Sequence, residues 1–290
     1  MGLTKSLFKK SNIGTAIFFL LNAALIAGLF AAADVVLWSV GLALYIVSVL
    51  IAFSPFGEWM LCFMAGARKM SRPDMKVRMR PLLEIIYKKA MKKTPRLSNK
   101  LRLKINYSPE PNAYAIGRRT ICVTEGLFRL PDDVIQGVLA HEVAHLALKH
   151  TQIQLLIGGG NFIMTILIFI MKLIYMLVGV FTLGTAYSEF RRNGMQGCLS
   201  ALPGFFVAGI VWLWTKFCMA FLMWSTRESE FDADKYAAEL GYGYELAKGL
   251  DAIGTGQPQE SFFKALYSSH PNTHDRIARL QQLGVPYYRY

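Results

Sequence analysis

Four stretches of this chain are long and apolar enough to cross a bilayer core of roughly 30 Å: residues 13–33, residues 35–53, one within 153–186 and one within 199–224. Lipid offers a backbone no hydrogen-bond partners, so such stretches are expected as helices. The link around Asp34 is only a few residues long, which makes the first two a helical hairpin. The immediate second span argues against reading the first as a cleaved signal peptide. Gly158-Gly159-Gly160, Asn161 and Lys172 interrupt the third stretch, and Pro203 and Lys216 lie in the fourth. Both lysines are read as snorkelling to an interface. The expected frame is an α-helical integral membrane protein with four transmembrane helices.

The net charge of +13, from 32 Lys and Arg against 19 Asp and Glu, raises nucleic acid as a partner. The distribution favours lipid. Lys5, Lys9 and Lys10 precede the first span, and Arg68, Lys69, Arg72, Lys76, Arg78 and Arg80 follow the second. Basic residues flanking spans mark the cytoplasmic side and attract anionic headgroups. An even number of spans then leaves both termini and the polar segments between hairpins in the cytosol, although Arg191 and Arg192 fall on the opposite side. No nucleic-acid partner is expected. Cys62, Cys122, Cys198 and Cys218 are scattered without a CxxC pair, which suits a reducing compartment.

The chain divides accordingly: 1–55, a transmembrane hairpin; 56–151, a first polar part; 152–225, a second hairpin; and 226–290, a helical second polar part. The first polar part opens with a basic helix over 79–93. Leu101–Tyr107 alternates apolar and basic residues as a strand does, and Ile121–Val123 reads as another. Together these describe a cytosolic α+β domain, mostly α, with a small β-sheet.

The chemistry concentrates in His141-Glu142-Val143-Ala144-His145. The segment falls on a helix opened by Pro131-Asp132-Asp133, with Val134, Ile135, Val138, Leu139 and Leu146 at helical spacing and Gly137 leaving the His141 face open. Two imidazoles four apart lie on one helix face, the spacing that lets two nitrogens hold one Zn²⁺. Glu142 then stands beside the metal as a general base. Catalytic zinc takes a third protein ligand. Thr151 and Leu148 exclude a metzincin pattern, and His150 is off register and reads as a solvated histidine at the helix end. Two acidic pairs remain, Glu228/Asp232 and Glu230/Asp234, and spacing alone does not choose between them.

Further segments narrow the choice: Ser54-Pro55-Phe56-Gly57-Glu58, Gly66-Ala67-Arg68, Asn112-Ala113-Tyr114-Ala115, Glu230-Phe231-Asp232-Ala233-Asp234, and His270-Pro271 with Arg276 six residues after the histidine. With the HExxH segment, they make the chain resemble the HtpX-type membrane zinc endopeptidases, gluzincins related to the CAAX prenyl endopeptidases. The resemblance runs from the first apolar hairpin to about residue 280. It implies a gluzincin-type fold with one zinc per chain, bound by His141, His145 and Glu230, and Asp234 behind them. It also implies that Glu142 acts as base, His270 donates to the oxyanion, and Arg276 braces the site through an acid such as Asp234. Asn112, Ala113, Tyr114 and Ala115 resemble the edge strand that takes an extended substrate. Implied substrates are misfolded or damaged membrane proteins and unfolded polypeptides, cut in stress-related quality control at a bacterial inner membrane.

His145 stands eight residues before Ile153, and Glu230 six after Trp224. If both helices run on unbroken, those are about 12 and 9 Å, and the metal lies near the membrane face. Three rival readings are an intramembrane metalloprotease, a prenyl-protein processing enzyme and a catalytically silent scaffold. Asp132, Asp133, Gln136 and Lys149 on the HExxH helix oppose the first, the span count opposes the second, and an intact Glu142 opposes the third.

Overall fold

The computed structural model describes residues 37–152, 226–253 and 273–288, with isolated positions between 13 and 24. Helix α1 (Leu37–Phe53) lies in the second expected span and carries no charged residue. It leaves Ile46, Val47, Leu50 and Ile51 exposed. Among the described residues no helix is long and apolar enough to cross a membrane. The first expected span is described only at isolated positions and the third and fourth lie outside the described residues, so the four-span reading rests on the sequence.

Ser54 separates α1 from α2 (Pro55–Met64). Its hydroxyl donates to Ile51 O at 2.6 Å and accepts from Gly57 N at 3.4 Å, and Pro55 opens the new helix. Gly57 permits the sharp fold-back, since a Cβ there would stand 2.1 Å from Ala52 O.

A four-stranded sheet follows: β1 (Arg68–Lys69), β2 (Arg102–Asn106), β3 (Ala113–Ile116) and β4 (Thr120–Thr124), in the order β1-β2-β4-β3. Only the β2–β4 pair is parallel. Every residue of β4 is buried, whereas β3 forms an edge. Gly117 makes the β3–β4 turn at φ 62. Helix α3 (Pro73–Lys93) begins six residues before the expected Met79, because Pro73 suits a first helical position. It buries Met75, Met79, Leu83, Ile86, Tyr87 and Ala90 and turns its basic residues outward.

Helix α4 (Asp132–Leu148) packs between α3, the sheet edge and a later helix, and from Val134 to Ala147 only Gln136 escapes burial. Pro131 caps it rather than opening it. Lys149 takes a left-handed conformation at φ 65 and ends the helix. The expectation of an unbroken helix toward residue 153 is therefore corrected: the chain turns before a last helical stretch at 150–152.

Later in the chain, α5 (226–237) passes through a wide turn at Ala238–Tyr242, where Gly241 adopts φ 86, into α6 (Gly243–Ile253). Helix α7 (Thr273–Gln282) packs on α6 through the core residue Leu280. Gly137 does not leave an open face. It is where α6 backbone approaches α4, and a Cβ would stand 2.3 Å from Glu245 C and Leu246 N.

Candidate metal centre

Helix α4 turns His141 and His145 to one side, with their Nε2 atoms 3.0 Å apart. Helix α5 brings Glu230 against both: Oε2 lies 3.2 Å from His141 Nε2, and Oε1 lies 3.3 Å from His145 Nε2. One donor atom from each residue falls within 4.8 Å of the others. The three are buried, with 3 to 5% of their surface exposed. Among the described residues this is the group with metal-ligand spacing, and neither Glu228 nor Asp232 belongs to it.

Asp234 is one turn beyond Glu230, and its Oδ1 lies 2.8 Å from His141 Nδ1. That contact places the His141 proton on Nδ1 and turns the Nε2 lone pair to the centre. Arg276 reaches in from α7 and grips Asp234 with two hydrogen bonds, Nη2 to Oδ1 at 2.6 Å and Nε to Oδ2 at 2.8 Å. Its Nη1 also approaches Glu230 Oε2 at 3.4 Å. The Arg279 guanidinium lies over the Phe231 ring at 3.4 Å and fastens α7 to α5.

Three buried carboxylates, Glu142, Glu230 and Asp234, stand here against the guanidinium of Arg276. Carboxylates outnumber the guanidinium here, which suits a bound cation. The protonation equilibria agree. Burial alone would raise the Asp234 carboxyl, but Arg276 and His141 hold it below the ordinary range. Burial and Arg276 depress the His141 imidazolium, yet Glu230 and Asp234 outweigh them and lift its pKa to about 9. Positive charge is drawn to where the donors converge. Two imidazole nitrogens and a carboxylate oxygen are also the ligand types zinc prefers, so the residues fit that ion.

Glu142 is buried, and its Oε2 accepts a hydrogen bond from Ala115 N at 2.7 Å. Edge strand β3 therefore touches the HExxH helix directly. Asn112 O pairs with Thr124 N at 2.9 Å, so Ala113 and Ala115, out of phase with it, turn their main-chain groups away from β4, toward the side where Glu142 lies, and both are buried there. Asn112 Oδ1 accepts from Ala113 N at 2.8 Å. Tyr114 departs from the edge, because its hydroxyl donates to Ala65 O at 2.8 Å beyond α2.

His150 corrects the sequence reading. It is not solvated: it is 2% exposed, with Nδ1 3.2 Å from His145 Nδ1. No helical periodicity points to it, since five residues along a helix lie about 140° round from His145. The left-handed Lys149 breaks that geometry and carries the ring back. His270, the expected oxyanion donor, lies outside the described residues.

A family model described as Peptidase family M48 matches residues 80–283. The chain is 29% identical over 259 residues to a protein named Protease HtpX homolog from Janthinobacterium sp. (strain Marseille), covering 82% of this chain and 81% of that one. It is 28% identical over 245 residues to the Protease HtpX of Erwinia tasmaniensis, covering 77% and 80% respectively. The crystal structure of S. mikatae Ste24p superposes with a TM-score of 0.46 at 18% identity, over 93% of this chain and 66% of that one.

Proposed function

We propose, from the premise that this chain belongs to peptidase family M48, that it cuts unfolded or damaged membrane proteins beside the cytoplasmic face of a bilayer. It is a metalloendopeptidase, and its cofactor is zinc. The observation that carries the reading is the convergence of His141, His145 and Glu230 next to Glu142, itself bonded to the edge strand.

His141, His145 and Glu230 hold the ion. A bound zinc supplies a Lewis acid that polarises a carbonyl and acidifies water. Glu142 takes the proton of the attacking water and returns it to the leaving nitrogen. Its hydrogen bond from Ala115 keeps one oxygen fixed while the other carries the proton. Asp234, braced by Arg276, holds the His141 ring in place. The N–H groups of Ala113 and Ala115 already donate to Asn112 Oδ1 and Glu142, so β3 offers an extended substrate their carbonyl groups, a mode that reads backbone more than side chains. By family resemblance His270 donates to the oxyanion.

The catalytic domain is assembled from 56–151 and 226–290, with the second hairpin, 152–225, between them. Membrane attachment is supported by the charge-free α1 and by α2, where Phe56, Trp59 and Phe63 form an exposed row with ring centres 5.7 and 5.8 Å apart. Aromatic rows of this kind favour the membrane–water interface. In sequence Glu230 stands only six residues after Trp224, at the end of the fourth apolar stretch.

A nested set of substrates, with the cleavable site moved stepwise outward from a single span, tests this placement. Cutting confined to sites near the span supports it, and equal cutting at all distances refutes it. Cleavage of soluble casein in detergent separates the reading from intramembrane proteolysis, and loss of that cleavage with a chelator separates it from a silent scaffold.

A further inference from the structure

We infer that His150 is a positioning residue for the metal centre: it accepts the Nδ1 proton of His145 and so fixes which nitrogen of that ligand faces the ion. The inference rests on the zinc reading above. His145 directs Nε2 to the shared centre, 3.0 Å from His141 Nε2 and 3.3 Å from Glu230 Oε1. A neutral imidazole that gives its Nε2 lone pair to a metal carries its hydrogen on Nδ1. That atom faces His150 Nδ1 at 3.2 Å. Two ring nitrogens at this distance bond only if one of them is protonated. His145 is therefore the donor, His150 Nδ1 the acceptor, and the His150 proton sits on Nε2.

The local structure is built for this contact. The left-handed Lys149 reverses the chain just after α4. Thr151, buried beside it, donates to Gly117 O at 2.5 Å and ties the reversal to the β3–β4 turn. The two rings meet edge to face, with centres 5.3 Å apart and planes at 67°. At 2% exposure, His150 leaves water little access to compete for the proton. The two histidine ligands thus differ in their support: a carboxylate backs His141 and a neutral imidazole backs His145. A carboxylate partner makes its histidine the stronger donor, so His145 is the weaker ligand and depends more on being aimed.

The test is zinc affinity, measured by competition with a chromophoric chelator on the full chain in micelles. His150→Leu removes the acceptor, and His150→Asn keeps an oxygen near the place of Nδ1. The leucine variant is expected to bind zinc about 10–100-fold more weakly, and the asparagine variant to recover most of the loss. The metal-stripped proteins should melt alike, which separates aim from folding. Should His150→Leu fail to fold, His150→Phe takes its place as an acceptor-free ring. Wild-type affinity in the acceptor-free variant, or an asparagine variant equally weak, overturns the inference. A wild-type chain without stoichiometric zinc would instead bring down the metallopeptidase reading, and this inference with it.

Discussion

Glu142 on the HExxH helix and Ala115 on the edge strand are joined by one hydrogen bond of 2.7 Å, from Ala115 N to Glu142 Oε2. The candidate base and the candidate substrate strand are thus a single mechanical unit. A change in one registers in the other.

Replacing Glu142 with Gln separates the two roles of that side chain. The amide oxygen still accepts from Ala115, so β3 keeps its place, but an amide cannot take a proton. The kcat for casein should fall about 10²–10⁴-fold, with zinc content unchanged by elemental analysis. A variant that retains its rate would remove Glu142 from the mechanism.

Arg276 and Asp234 are each at most 3% exposed and meet through two short hydrogen bonds. Arg276→Ala leaves a buried carboxylate without its guanidinium, a change that typically costs about 3–5 kcal/mol. The denaturation midpoint of the metal-stripped protein should drop accordingly, and zinc affinity should fall because Asp234 no longer steadies His141. Unchanged stability would show that water reaches the pair.

Gly137 is where α4 and α6 touch. In Gly137→Ala the new Cβ meets α6 backbone at 2.3 Å, and backbone cannot move aside as a side chain would. The helices must separate, at a cost on the order of 1–3 kcal/mol. His141 is one turn further along α4, so zinc affinity should weaken with stability. Wild-type values in both measurements would contradict the close approach.

Burial pushes the Cys122 thiol up to about 12 and raises Cys62 as well. A thiol well above the ambient pH presents almost no thiolate, the reactive form. In a chain with Cys198 and Cys218 replaced by Ser, maleimide at about pH 8 should label neither cysteine until denaturant is added. Rapid labelling of the folded protein would mean that β4 and α2 open readily.

Much of the site was legible in the chain itself. The spacing of His141 and His145 placed both on one helix face wherever that helix packed, because the period of an α-helix is local geometry. The α3 helix was visible as a basic segment, β2 in its alternation and β4 as a short apolar run. Others left no trace of that kind. The two-residue strand β1 is too short for a period, and Gly137 looked like open space because a glycine does not reveal what fills the room it leaves.

Local sequence settled the helix, the pair of nitrogens, the candidate base between them and the apolar, charge-free character of α1. Tertiary structure decided the rest of the cluster. Glu228/Asp232 and Glu230/Asp234 share the same spacing, and only the rotation of α5 against α4 puts Glu230 on the two imidazoles and Asp234 behind His141. His150 joins His145 because the chain reverses at Lys149, and Arg276 joins from α7 because a buried carboxylate needs a buried cation. Side-chain period is written in one segment, but the facing of two segments is set by their packing against each other.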